Sequence, residues 1–421
     1  MTAPFAMNNA YRTRQLVRTV SVLGLLSVMT VAGSASAQDG AWSDTLKFSG
    51  HVEGGITGNT AVKTGANNLG NLFNDKANQP MLNQVMATFE RPMDNKSADY
   101  DIGFKLQGIF GTDARMTHGF AEFDHLFRGR NQADIVEASI SAHLPVLTEG
   151  GLDLKVGQFP TPMGAEVIDA TGNYLYSHSY IYNFGIPLKQ TGFLVTAHVN
   201  SMLDLYAGLD TGVNAFVGPG GYNNDLVKGQ FGFGLNLLDG SLTVLGFSHI
   251  GAENPNILGF PRSALRYLND ITTTWKVNDD LTLINDMNYI ADEGLGGIGY
   301  GDAQYAVYTL NDHVSLVGRA EIWRDNKGSF VAGFPGQFDY INAERGLPAT
   351  TIAAPATTYG SLTFGVNYKP DMPKMFDGFV IRPELRVDHS LNGTKPFNIG
   401  SGGTGEDSTS FTPAVDFVLP F

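Results

Sequence analysis

The stretch FTPAVDFVLPF, residues 411–421, decides the reading of the whole chain. Val415, Phe417, Leu419 and Phe421 recur at every second position, with Asp416 among the residues between them. A period of two marks a β-strand with one face against an apolar medium. Here the pattern runs to the last residue, which predicts that Phe421 ends a wall strand.

The opposite terminus agrees. Residues 1–18 carry Arg12, Arg14 and Arg18 and no acid; an apolar run from Val20 to Val31 follows, then Ala35-Ser36-Ala37. A basic start, a short apolar core and a small-x-small site predict a secretory signal peptide over 1–37. The apolar run is too short to span a bilayer, which takes roughly 20 such residues. The exported part is expected to start near Gln38. Cysteine is absent, so export brings no disulfides and stability has to come from one large cooperative sheet or core.

Working inward, the same period recurs. Leu46, Phe48, Val52 and Ile56 stand opposite Lys47, Ser49, His51 and Glu53; Ile102, Phe104, Leu106 and Phe110 stand opposite Lys105 and Gln107. In VEASISAHL, Val136, Ala138, Ile140, Ala142 and Leu144 alternate with Glu137, Ser139, Ser141 and His143. A helix would scatter these sets around its axis. Sixteen strands are predicted, near 44–57, 81–91, 99–110, 134–144, 150–159, 188–199, 202–211, 226–238, 240–250, 266–277, 280–290, 302–311, 313–324, 358–369, 378–390 and 411–421. The connections alternate between short turns and long segments, the long ones covering about 58–80, 111–133, 160–187, 212–225, 251–265, 291–301, 325–357 and 391–410. A soluble sandwich has little reason to sort its loops by length. An all-β transmembrane antiparallel barrel has short periplasmic turns, long extracellular loops and an even strand count. Sixteen strands leave room for an aqueous channel.

If the apolar positions face lipid, the alternate ones line the lumen: Glu53, Lys105, Glu137, Asp153, Lys155, Asp204, Lys276, Asp286, Arg319 and Glu321. The densest ladder is Arg382, Glu384, Arg386 and Asp388, four alternating charges on one strand. The segment 160–187 is long for a connection. It carries Glu166, Asp169, His178 and the aromatic residues Tyr174, Tyr176, Tyr180, Tyr182 and Phe184. So aromatic a segment is expected to fold back into the barrel as a pore constriction. Glu166 and Asp169 would then face basic wall residues, with Lys105, Lys155, Arg382 and Arg386 as candidates. A packed extracellular cap is the alternative.

Formal charge is −14, which argues against nucleic acid as partner, since phosphate binding needs clustered Lys and Arg. Ser177-His178-Ser179 offers a nucleophile and a base, but neighbours on an extended backbone point apart and there is no G-x-S-x-G elbow. The nine histidines are scattered without an H-E-x-x-H pair. The expectation is no enzyme, no metal and no cofactor.

The stretch LKVGQFPTPMGAEVIDATGNYLYSHSYIYNFGIPLKQTG, residues 154–192, resembles the signature of OmpL-like β-barrel porins of Gram-negative outer membranes. The likeness runs through Gly157, Phe159, Pro162, Gly164, Glu166, Asn173, Tyr176, Ser177, His178, Ser179, Pro187, Thr191 and Gly192; Gln158 stands where a basic residue is more usual. More loosely it extends from about Ser43 to Phe421. The resemblance implies an outer-membrane channel for ions and small hydrophilic solutes, with the terminal Phe421 as an assembly signal. The partners it implies are lipopolysaccharide, the outer-membrane insertion machinery and further copies in a homotrimer. The rival expectation is a non-conducting barrel of structural or adhesin type, acting through outer loops such as 325–357.

Overall fold

The computed structural model describes residues 45–421, apart from 121, 124, 125, 218–223, 225, 226, 255–262, 401 and 402. The predicted signal peptide over 1–37 lies outside the described residues. Sixteen antiparallel strands close into one barrel in sequence order. They are β1 Lys47–Thr57, β2 Pro80–Arg91, β3 Asp101–Gly111, β4 Gln132–Leu144, β5 Leu152–Pro160, β6 Lys189–Asn200, β7 Leu203–Asp210 and β8 Lys228–Leu237. The circuit continues through β9 Leu242–Ala252, β10 Leu265–Lys276, β11 Leu281–Asp292, β12 Gly297–Asn311, β13 Val314–Asp325, β14 Thr357–Tyr368, β15 Val380–Ser390 and β16 Thr409–Pro420. All sixteen predicted strands are present.

Closure satisfies the backbone. An open edge in lipid would leave amides and carbonyls unpaired at several kcal/mol each. Here β1 pairs with β16 from His51↔Pro420 to Thr57↔Ala414. Beyond that ladder Gly50 and Phe421 exchange backbone bonds of 3.0 and 2.8 Å. A Cβ on Gly50 would sit 2.5 Å from the Phe421 ring, so only glycine lets the terminal aromatic close over the first strand.

The alternation turns the apolar set outward. Phe48, Ile102, Ile140 and Leu362 are exposed on the outer wall, whereas His51, Glu53, Arg319, Arg382, Glu384, Arg386 and Asp388 are buried within the barrel. Two sequence expectations fail locally. The β4 pattern is broken by a bulge: Gln107 pairs with Glu137 but Gly108 pairs with Ile135, leaving Val136 without a partner. One extra residue flips every side chain beyond it, so Asp134 and Glu137 are both buried and Val136 joins the interior core. The expected long connection over 291–301 is also absent. β12 begins at Gly297, and the chain reverses over 293–296 with Gly296 at φ +62, a left-handed conformation that glycine adopts without strain.

The barrel interior holds the core. Buried apolar residues come from the segments 58–79, 112–131, 161–188 and 326–356 as well as from the wall, among them Leu72, Phe73, Met116, Tyr180, Tyr182, Trp323 and Tyr340. The long segments at one rim therefore fold into the mouth they frame.

Candidate functional site: an inward-folded segment bonded to the wall

Pro160 ends β5, and the chain turns inward for the 28 residues before β6. Asp169 caps a short 3-10 turn at Ala170–Gly172, accepting from Thr171 N at 3.0 Å. A single π turn follows at Ile181–Gly185. Too little regular structure is present to satisfy so much buried backbone, and a buried unpaired polar group is costly. The wall supplies the missing partners.

Wall carboxylates take the segment's N–H groups. Glu384 accepts from Tyr176 N at 3.0 Å and Ser177 N at 3.1 Å; Glu321 accepts from Tyr180 N at 2.8 Å. Asp270 and Asp286 accept from Gly164 N and Ala165 N, both at 3.0 Å. Wall arginines take its carbonyls: Arg382 donates to Ala170 O and Asn173 O, Arg386 to His178 O at 2.6 Å, and Arg319 to Ser177 O at 2.6 Å. Charge-assisted bonds of this kind are about twice as strong as neutral ones.

The same arginines pair with wall acids. Arg382 bonds Asp416 and reaches Glu53 at 3.1 Å; Arg386 meets Asp388 at 2.9 Å and Glu321 at 3.6 Å. Tyr180 lies over the Arg386 guanidinium, 5.3 Å from ring centre to Cζ, and its hydroxyl donates to Asp388 at 3.2 Å. The predicted ladder on β15 thus serves as a docking rail, with each of its charges bonded to the segment or to a neighbouring strand.

Glu166 is the acid of the segment that is sunk deepest into the wall. Its carboxylate takes Arg319 Nη1 at 2.8 Å and the Tyr305 hydroxyl at 3.1 Å, and also Ser179 N at 2.8 Å and His178 Nδ1 at 3.3 Å. Burial pushes this carboxyl up, but the Arg319 charge, His178 and the Ser179 amide together hold it down to about 2. Asp169 instead stays a third exposed, with Gln107 Nε2 at 3.3 Å and His51 at 3.6 Å. The expected facing of these two acids against Lys105, Lys155, Arg382 and Arg386 is not what the geometry shows. Glu166 stands against Arg319, a residue the sequence placed on the lumen without a partner. Lys105 and Lys155 share Glu137 at 3.6 and 3.1 Å.

One constellation escaped the sequence reading. His143 Nδ1 meets Asp153 at 2.6 Å, Asp153 meets His198 Nε2 at 2.9 Å, and His198 Nδ1 meets Asp204 at 2.7 Å. This ladder crosses β4 to β7 beside a 610 Å³ cavity at the short-turn rim, which His143, His198 and Asp204 line. Its signal was present as four alternate-position residues on four consecutive strands, but only the pairing register brings them level.

Comparison with known proteins places this architecture. A protein-family model described as "Putative beta-barrel porin-2, OmpL-like" matches residues 45–421. No curated protein matches in sequence. Among solved structures, the anion-selective porin from Comamonas acidovorans superposes with a TM-score of 0.55 at 9% identity, covering 89% of this chain and 99% of that one. Pseudomonas putida OprB gives 0.55 at 13% identity over 90% and 95%. The outer membrane channel DcaP of Acinetobacter baumannii gives 0.53 at 10% identity over 89% and 97%. At such identities the likeness is one of fold.

Proposed function

Because the chain belongs to the OmpL-like β-barrel porin family, a family of transport barrels rather than enzymes, we propose that it forms a water-filled channel for passive diffusion of ions and small hydrophilic solutes, with 161–188 as the constriction. The observation that carries this reading is the one-sidedness of the segment's bonds. They run chiefly to β10–β13, β15 and β2, with Asp169 reaching Gln107 on β3 and His51 on β1. Across the lumen Asp134, Lys189, Asp210 and Lys228, at the long-loop ends of their strands, are buried, but Lys105 and Lys155 keep 32% and 40% of their side chains exposed, and Asp204 keeps 35%. A path along β3 to β8 would pass groups of both signs, a lining that orders water and discriminates ions by charge.

Pairing neutralises most buried charge, so selectivity falls to the exposed groups and to the acidic excess of the chain, giving a weak cation preference. In this reading the outer wall contacts outer-membrane lipid and lipopolysaccharide, the insertion machinery reads the Phe421 end, and the signal peptide is cleaved near Ala37. Planar-bilayer recording of folded protein tests the proposal: stepwise conductance and a reversal potential displaced toward cations are expected. A second reading is favoured by the packing of the mouth, where Arg319, Arg386, His249 and Lys228 are all nearly inaccessible to water. It is a barrel that acts through its outer loops and does not conduct. Absence of any conductance step in correctly folded protein would select it.

A further inference from the structure

The segments 161–188 and 326–356 both fold into the mouth, and they do not fill it. Between them and the long-loop ends of β9 to β11 lies a cavity of 310 Å³. Sites for small molecules run from about 300 to 1,000 Å³, so this one suits a single small solute. Part of its lining is apolar. Phe184 and Leu188 come from the first segment, and Phe330, Phe334 and Tyr340 from the second. The Phe334 and Tyr340 rings meet edge to face, 5.1 Å between centroids, and the Tyr340 hydroxyl accepts from Asn214 Nδ2 at 3.3 Å.

The rest of the lining carries charge, unequally used. Asp292, at the end of β11, takes Arg266 Nε at 2.7 Å, the Leu295 amide at 2.8 Å and Asn254 Nδ2 at 3.2 Å. Glu253 is 1% exposed and accepts from the Val213 amide through both oxygens at 3.3 Å. These two acids are engaged. Arg266 is held from its Nε edge, and among the described residues neither of its Nη atoms donates a hydrogen bond. Glu344 closes the short helix Asp339–Glu344 and lines the same cavity. Its carboxylate makes neither a hydrogen bond nor an ion pair among the described residues. One cavity therefore presents an open fork of donors, an open carboxylate and a set of rings.

We propose that this cavity binds a free α-amino acid with an apolar or aromatic side chain, in its zwitterionic form. The solute's carboxylate takes the Nη edge of Arg266, whose planar donors match it. Its ammonium takes Glu344, and its side chain lies among Phe330, Phe334 and Tyr340. The charges select a zwitterion over simpler solutes. Asp292 already balances Arg266, so an acid without an amine adds a negative charge beside Glu253, Asp292 and Glu344. An amine without a carboxylate answers Glu344 and leaves the Arg266 donors unmet, which is costly once water is displaced. Glycine satisfies both charges and leaves the rings uncovered. The site does not rest on the channel reading, since a barrel that conducts nothing can bind as well.

Isothermal titration calorimetry of the folded barrel in detergent tests the proposal, with L-phenylalanine as probe. Saturable binding to a single site is expected. Phenethylamine, hydrocinnamate and glycine each lack one of the three features, and each should bind about tenfold more weakly or worse, the equivalent of one lost charge-assisted bond or of the buried ring. Glu344→Gln lies away from the strand pairing, and heat-modifiable migration verifies that the variant folds. It should weaken L-phenylalanine about tenfold and bring hydrocinnamate level with it, because the acid that repels hydrocinnamate is gone. No saturable binding of L-phenylalanine by the wild type, equal affinity for all four probes, or equal weakening of L-phenylalanine and hydrocinnamate by Glu344→Gln would each overturn the proposal. The first two results need no variant. Conductance without binding would remove this site and leave the channel; binding without conductance would leave the site and remove the channel.

Discussion

Arg319 and Lys155 are both cations on the inner face of one barrel, and they live in different media. Arg319 is 2% exposed, held among Glu166, Glu321 and the Ser177 carbonyl. Lys155 keeps 40% of its side chain in water and pairs with Glu137 at 3.1 Å. The two stand for two arcs. From β10 through β16 into β2, wall charges are consumed in fastening the segment 161–188. From β3 to β8 the charges at the long-loop ends, such as Lys189 with Asp134 and Glu122, are buried as well, but further down Lys105, Lys155 and Asp204 keep about a third of their side chains in water. One residue vocabulary serves as mortar on one side and as lining on the other. What separates the two uses is desolvation: a buried ion pair is held by all of its partners at once, and a wet one is worth little.

The sharpest way to break that contrast is to cut the fastening. Arg319→Ala leaves Glu166 buried without its counter-charge, a loss of about 3–5 kcal/mol when one partner of a buried pair is removed. The barrel should still migrate as folded, because strand pairing is untouched, while single-channel recordings should show a larger and noisier conductance as the segment comes free. Unchanged recordings would mean that the segment is held without this pair. Glu166→Gln with Asp169→Asn is the milder version. Most of its effect should come from Glu166, since Asp169 serves mainly its own turn; each single variant, recorded separately, apportions it.

On the other arc the effect should be electrical only. Lys105→Gln with Lys155→Gln and Glu137→Gln, which removes the buried acid together with the two part-exposed cations that serve it, is expected to change stability by less than about 1 kcal/mol. It should displace the reversal potential under a salt gradient further toward cations. A barrel that loses folding instead would show that this side is mortar too.

The smallest effect concerns acid. Glu166 sits at about 2, below the ordinary carboxylate range near 4.3. A depressed folded-state value means its contribution is whole above that range and is lost as pH falls from there toward about 2. Channel conductance should therefore be indifferent to Glu166→Gln as a source of pH dependence between pH 7 and 5. The wild type should begin to release the segment only below that window, as read by protease accessibility of 161–188.

The wall was legible because period two is a local property: each strand declares its own inside and outside, and sixteen of them agree. Glu53, Arg319 and the β15 ladder were placed on the lumen for that reason. Partners were not legible. Glu166 and Arg319 are 153 positions apart, and which wall charge meets which carbonyl depends on register and on the path of an irregular segment. The bulge at Val136 hid for a related reason, since Val-Glu-Ala-Ser-Ile alternates perfectly whether or not one residue is skipped in pairing. The β12 start was masked by glycine: GLGGIGYG reads as a loop by composition, yet it pairs as a strand from Gly297 onward.

The seam between β1 and β16 sets the order in which the barrel is made. Every other pairing joins strands adjacent in sequence, so each can form as a hairpin soon after its residues emerge. The seam joins Lys47–Thr57 to Thr409–Pro420, the longest loop the described chain can close, and closure entropy grows with length. Contacts of such separation are late ones in folding. The barrel is thus a curled sheet with one open zipper until its final strand is delivered, and the Phe421 ring lowered over Gly50 is the clasp.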